Sequence, residues 1–300
     1  MISKIYRPMK IHSPLRKALL LHSIALAVLV SLAMQGQAQQ NPVAEREKQV
    51  NRSERAENKL RDLFGTVQLS GADLDPEFFE IMKRFTYGEI YYQGNLDRRQ
   101  RELIALVVLT TIQCLSEVRV HVGAALNIGV TPVEIKESLY QCAPFIGFPR
   151  VQEALKIVNE VMLSGGISLP LESQRQIEEG DRFAKGREIQ FPIYGDRIKQ
   201  AVGNLPEEQR ESIPRYLTEL CFGDLYTRAG LDVQTRELLI LCALCGLGGT
   251  DLQIKSHATG NLKVGNSRET VVSAITFCLP FIGFPRTLNA INIVKDVSKE

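Results

Sequence analysis

The sequence predicts an all-α protein made of one helical unit used twice. Three observations carry this. The stretch Pro144-Phe145-Ile146-Gly147-Phe148-Pro149-Arg150 returns unchanged, 136 residues on, as Pro280-Phe281-Ile282-Gly283-Phe284-Pro285-Arg286, and identity at a fixed spacing is the mark of an internal repeat. Apolar residues recur at helical spacing through both halves. No segment shows the apolar–polar alternation of a half-buried strand.

The repeat extends backwards from that stretch. His121 and His257 stand 136 apart; Gly88/Gly223, Tyr91/Tyr226, Leu96-Asp97/Leu231-Asp232 and Arg101-Glu102-Leu103/Arg236-Glu237-Leu238 stand 135 apart. One residue is therefore gained between the two groups. The two units are expected at 76–165 and 209–300, with a linker at 166–208. Its breaks are Gly165-Gly166, Pro170, Gly180, Gly186, Pro192 and Gly195.

In chain order, residues 1–38 read as a signal peptide. Lys4, Arg7, Lys10, Arg16 and Lys17 precede the apolar run Ala18–Met34, and Gly36-Gln37-Ala38 offers a small-x-small cleavage site. The alternative is an uncleaved anchor. Cleavage predicts a periplasmic or secreted protein with no further membrane segment. The full chain carries a net charge of +2; loss of five basic and no acidic residues makes the mature body −3. A slightly acidic body without basic runs argues against a nucleic-acid partner. Two of the four histidines leave with the leader, so the mature chain keeps only His121 and His257.

Residues 39–75 are polar and charge-dense and predict a solvated helix or tether without function. In unit one, Phe78–Tyr92 has helical spacing. Asp97 looks like an N-cap for Arg98–Gln113, whose apolar middle predicts a buried helix. Glu117–Leu126 follows, then Thr131-Pro132-Val133-Glu134, a capping box with proline at N1. The Gly147-Phe148-Pro149 turn leads to a last helix, Arg150–Met162. Unit two repeats the series: Pro214–Arg228, Thr235–Leu247, Leu252–Leu262, Ser267–Cys278 and Arg286–Val297.

The units share few polar residues, and these are the candidates for chemistry. His121 lies four residues after Glu117, on one helical face, with Glu102 on the preceding helix; a carboxylate beside an imidazole makes a proton shuttle. A histidine that merely ties two helices is the competing reading. His257 has Glu237 but Gln253 in place of Glu117, so the second site is expected to be the weaker, unless each site draws parts from both units. Arg101 and Arg236 are candidate clamps for a substrate carboxylate, or else first-turn charges paired with Asp97 and Asp232. Of the six cysteines, Cys142 and Cys278 are equivalent and read as buried thiols. Cys242-Ala243-Leu244-Cys245 is formally CxxC but sits mid-helix. Cys114, near Glu117 and His121, is the candidate reactive thiol. No dense Cys/His set suggests a metal, and no cofactor is expected.

The Gly-Asp-x-Tyr, Gly-Leu-Asp and Arg-Glu-Leu pattern of Gly223 to Leu238, with His257 and the Gly283-Phe284-Pro285 turn, resembles the carboxymuconolactone decarboxylase family; unit one is similar. The resemblance implies an all-α domain that oligomerises, here as a trimer of two-domain chains or a similar homo-oligomer. Its decarboxylase branch implies cofactor-free acid–base work on a small carboxylated lactone. Its alkyl hydroperoxidase D-like branch implies peroxiredoxin-type chemistry on a Glu-x11-Cys-x2-Cys-x3-His frame. In unit one that frame reads Glu102, Cys114, Glu117, His121, lacking the second cysteine; unit two has neither cysteine. Decarboxylase-type chemistry at His121, Glu117 and Glu102, with the counterpart His257 and Glu237, is the expected function. Peroxide reduction by Cys114 and a non-catalytic helical binding module are the alternatives.

Overall fold

The computed structural model describes residues 42–298. The leader and its cleavage site lie outside the described residues. Contacts divide the chain after Asn51. The earlier unit contributes only the first turns of helix α1 (Pro42–Phe64); the later one, from Arg52 onward, holds both repeats.

Unit one comprises α2 (Pro76–Thr86), a 3-10 turn at Ile90–Tyr92, α3 (Arg98–Thr111), α4 (Leu115–Asn127), α5 (Pro132–Tyr140), the short α6 (Ala143–Ile146) and α7 (Phe148–Ser164). Next come α8 (Arg182–Tyr194) and α9 (Arg197–Ala201). Unit two comprises α10 (Glu207–Leu217), a π-helical stretch at Thr218–Tyr226, α11 (Val233–Leu247), α12 (Asp251–Lys263), α13 (Arg268–Phe277) and α14 (Leu279–Val294). Among the described residues there is no strand, and no helix is long and apolar enough to cross a membrane.

The helices that read as apolar all round are the centre of the molecule. α3 and α11 pack against each other. Leu103, Leu106 and Val107 of one share a buried cluster with Leu238, Leu239 and Cys242 of the other. The repeats therefore bury much of their apolar surface in each other, which is why both inner helices can be apolar on every face. Asp97 caps α3 in a box with Gln100, Thr131 caps α5 in a box with Glu134, and Asp232 caps α11.

The duplicated seven residues have separable jobs. Gly147 and Gly283 take φ of +89° and +75°, where a side chain would be strained, and so turn the chain between helices. Arg150 and Arg286 donate to the carbonyls of Thr111 and Gly246, capping the C-terminal ends of α3 and α11. The residue gained in unit two sits at this same end. In the turn after α3 Gln113 alone takes positive φ, whereas in the turn after α11 both Gly248 and Gly249 do.

Helix boundaries differ from expectation before α3 and α11. Phe78–Tyr92 is a helix ending at Thr86 and then a 3-10 turn; Pro214–Arg228 is an α-helix that widens into the π-helical stretch. Each break carries a glycine under close approach. A Cβ on Gly88 would lie 2.3 Å from the Arg52 carbonyl, and one on Gly223 would lie 2.4 Å from that of Arg182.

Of the two alternatives for residues 39–75, a helix is present over Pro42–Phe64, and α8 lies within the stretch expected as a linker; Arg52 and Arg182 hold corresponding places on them. The ends of α1 and α8 correspond, 130 residues apart. Arg52 pairs with Glu89 and Arg182 with Asp224. Asn127 donates to the Leu63 carbonyl and Lys263 to that of Ile193. Phe64-Gly65 and Tyr194-Gly195 end the two helices, both glycines at positive φ. The repeating unit thus begins one helix earlier than its sequence signature.

Candidate active site

Each inner helix carries one fully buried carboxylate, Glu102 on α3 and Glu237 on α11. A buried carboxylate must be hydrogen-bonded. Glu102 accepts from the Tyr91 hydroxyl at 2.8 Å and contacts His121 Nδ1 at 2.8 Å. Glu237 accepts from the Tyr226 hydroxyl at 2.8 Å and contacts His257 Nδ1 at 3.0 Å. A carboxylate has no proton to give, so Nδ1–H is the donor in both pairs. Among the described residues no hydrogen bond reaches either Nε2. Burial first, then the adjacent glutamate, pushes the Tyr91 and Tyr226 phenols well above their ordinary value, so both remain donors.

Each histidine borders a cavity. His121 lines one of about 470 Å³ with Phe64, Phe79, Tyr87, Cys114 and Glu117. His257 lines one of about 420 Å³ with Gln190, Tyr194, Arg197, Cys221 and Ser256. A larger groove of about 580 Å³, bordered by Phe183, Arg187 and Arg210, reaches neither histidine. The repeats exchange a wall. Phe281, from unit two, stands edge-on to His121 at 5.7 Å; Phe145, from unit one, stands edge-on to His257 at 5.4 Å. That exchange gives the phenylalanine of the duplicated stretch its purpose, and each cavity is made by both repeats.

The sites then diverge. At the first, the end of α1 offers Phe64, 6.0 Å from the His121 ring. At the second, the end of α8 offers Tyr194, whose hydroxyl lies 2.5 Å from Glu237 Oε2 and 2.8 Å from His257 Nδ1. The His121 side chain is 1 % exposed and that of His257 is 12 %. The first cavity has no lysine or arginine in its lining, and Glu117 is its one carboxylate. The second has Arg197, whose neighbour Asp196 is already held by Arg187 and Lys199.

Several expectations change. Arg101 and Arg236 are not substrate clamps: both are buried and used by backbone. Arg101 donates to the carbonyls of Ile90 and Gln93. Arg236 donates to those of Leu231, Arg228 and Ala229, and to Glu137. Nor do they pair with Asp97 and Asp232, which cap helices instead. Glu117 borders the His121 cavity, but the partner of the ring is Glu102. The two rings have equivalent partners, Glu102 for His121 and Glu237 for His257, and beside Gln253 the second cavity is lined by Tyr194 and Arg197.

All six cysteines are free. Cys114 is half-buried in the first cavity, with no second cysteine in that lining. Cys242 and Cys245 are buried in the middle of α11. Burial pushes the Cys142 thiol up to about 12. No group of His, Cys, Asp and Glu suited to a metal ion occurs among the described residues.

Tyr91 and Tyr226 were legible as members of the repeated Gly-x-x-Tyr pattern, though only as markers of the repeat. Phe64, Tyr194 and Arg197 were hidden, because the helices that bring them share almost no sequence.

The chain matches the Carboxymuconolactone decarboxylase family twice, over residues 76–160 and 211–296. It is 32% identical over 96 residues to 4-carboxymuconolactone decarboxylase of Acinetobacter baylyi, covering 32% of this chain and 72% of that protein. It is 30% identical over 95 residues to nitrosuccinic acid decarboxylase of Metarhizium robertsii, covering 30% of this chain and 66% of that one. An uncharacterized 15.0 kDa protein of Paracoccus denitrificans is 33% identical over 82 residues, 27% of this chain and 61% of that protein. With both repeats matched and the buried Glu–His pair present in each, this chain is a tandem, two-repeat member of the carboxymuconolactone decarboxylase family.

Proposed function

We propose that this protein performs cofactor-free acid–base chemistry on a small carboxylated acid or lactone, and that the reaction takes place at the second cavity. The observation that carries the reading is that Arg197 and His257 line the same cavity, with Nδ1 of the ring held by Glu237. Arg197 holds a carboxylate that the substrate retains. His257 exchanges a proton through Nε2 while Glu237 keeps Nδ1–H in place. In a decarboxylation, the C–C bond to the departing carboxylate breaks and CO₂ leaves. Where a carbonyl stands β to that carboxylate the electron pair remains as an enolate, and His257, having taken a proton from solvent at Nε2, passes it to the carbon. In a proton transfer without CO₂ loss, the same nitrogen takes and returns the proton. The names of two relatives, both decarboxylases of carboxylic acids, support the first form. A slot of about 420 Å³ suits a molecule of that size.

The test is a panel of small diacids, keto acids and carboxylated lactones incubated with the full chain, reading CO₂ release and the proton NMR of the product. His257→Gln is expected to abolish turnover, and Arg197→Gln to raise KM. Turnover that survives His257→Gln would overturn the assignment.

A further inference from the structure

We propose that Tyr194 is a positioning residue of the second site: its hydroxyl, set between Glu237 and His257, orients the imidazole so that Nε2 meets a substrate anchored at Arg197. The proposal deepens the acid–base reading above and rests on it for the substrate.

Tyr194 comes from α8, a helix outside both family matches. Its hydroxyl can donate one hydrogen bond and accept another. It donates to Glu237 Oε2 at 2.5 Å and accepts from His257 Nδ1–H at 2.8 Å. The proton on Nδ1 is thus shared between the carboxylate and the phenol oxygen. The ring is held from two further sides, by the Tyr194 ring at 5.4 Å and by Phe145 at 5.4 Å. An imidazole held by two acceptors at Nδ1 and in contact with two aromatic rings has little freedom to swing Nε2 away.

The turn after Tyr194 links this to recognition. Gly195 takes φ of +59°, ends α8 and starts the chain into α9, whose first residue is Arg197. One short strap thereby places the hydroxyl that holds the base and the cation that would hold the substrate. Gly260 on α12 leaves room for it: a Cβ there would lie 2.6 Å from the Tyr194 hydroxyl and 2.9 Å from Glu237 Oε2. Unit one supplies the internal control. Phe64 occupies the corresponding place and brings a ring but no hydroxyl, so His121 Nδ1 has Glu102 alone.

The experiment uses the full chain with ¹⁵N-labelled histidine. Four histidines are present, and His257→Gln and His121→Gln assign the two of interest. Tyr194→Phe keeps the ring and removes the hydroxyl. It is expected to move the His257 ring ¹⁵N resonances and to lower kcat about tenfold, the loss of one hydrogen bond in a charged network, with KM within twofold. Phe64→Tyr is expected to move the His121 resonances in turn. Unmoved His257 resonances in folded Tyr194→Phe overturn the proposal. Should that variant fail to fold by circular dichroism, unmoved His121 resonances in Phe64→Tyr overturn it instead. If the resonances move while the wild-type protein turns over no acid, the substrate reading falls and the positioning role stands.

Discussion

The two cavities began as copies and now differ in what they present to a ligand. Both keep a buried glutamate, a tyrosine bonded to it and a histidine whose Nε2 has no partner among the described residues. Around that core the first sets aromatic rings, neutral polar groups such as Thr66 and Ser70, and one acid, Glu117; the second brings a cation, Arg197, and a further tyrosine hydroxyl bonded to the Glu–His pair. The shared parts come from helices that also build the central core, where any change disturbs both repeats. The differing parts come mainly from α1, α8 and α9, which touch one cavity each. Duplication has thus left the proton-handling pair fixed and the recognition surface free to diverge.

The same division appears in the joint between repeats, and the largest effect is expected there. Glu137 of α5 is buried and accepts from Arg228 and Arg236 of unit two. Its counterpart is Ser273, whose hydroxyl faces the Asn95 amide at 3.4 Å. Glu137→Ala would leave two guanidiniums without their carboxylate, one of them fully buried. It should cost about 3–5 kcal/mol, because the uncompensated charge remains inside. Ser273→Ala should cost less than about 1 kcal/mol. Urea unfolding of both variants checks this, and equal costs would mean that the repeats are joined more symmetrically than Glu137 implies.

The second contrast concerns turnover. His257→Gln should lower it by about 100-fold or more, the usual contribution of a positioned acid–base group, and His121→Gln by the smaller factor. The reverse order would return the chemistry to the first cavity. The exchanged walls sharpen the test. Phe145→Ala, though in unit one, should impair the second cavity by roughly tenfold, through loss of the ring that holds His257. Phe281→Ala should act chiefly on ligand binding at the first.

How much of this was legible depended on whether a residue served the shared core or a single site. The duplicated Pro-Phe-Ile-Gly-Phe-Pro-Arg stretch, the caps at Asp97 and Thr131 and the Glu102/His121 and Glu237/His257 correspondences could be read directly, since both copies must satisfy the same packing. Arg101 and Arg236 were misread because an arginine kept in both copies looks the same whether it clamps a substrate or, as here, gathers turn carbonyls. The helices α1 and α8 were set aside because they answer to different surroundings. Leu60 and Gln190 are both buried at corresponding positions, yet one is apolar and the other polar. The kinship shows instead in paired contacts, among them Arg52 with Glu89 and Arg182 with Asp224.

The smallest contrast lies in the caps of α5 and α13. Thr131 accepts from the Glu134 amide at 3.2 Å, and Glu134 reaches back to the Thr131 amide at 2.7 Å and to Arg99 at 2.6 Å. Ser267 accepts from the Thr270 amide at 3.0 Å, but Thr270 has no carboxylate to return. Each cap is worth about 1 kcal/mol, and Thr131→Ala should cost a few tenths more than Ser267→Ala because it also removes the bond that the Thr131 hydroxyl donates to the Glu134 carboxylate, while the backbone bond from residue 131 is kept. The excess should depend on pH. Burial works to raise the Glu134 carboxyl, but the bonds from Thr131 and the charge of Arg99 outweigh it and hold it below the usual glutamate value. A carboxyl held low in the folded state stabilises above its unfolded value, and that contribution is lost as pH falls through the folded one. Thermal melts of the two variants should therefore differ at neutral pH and converge as acid protonates Glu134. A gap that persists after that protonation would show that Thr131 works as a plain cap, like Ser267, and that the carboxylate adds nothing to it.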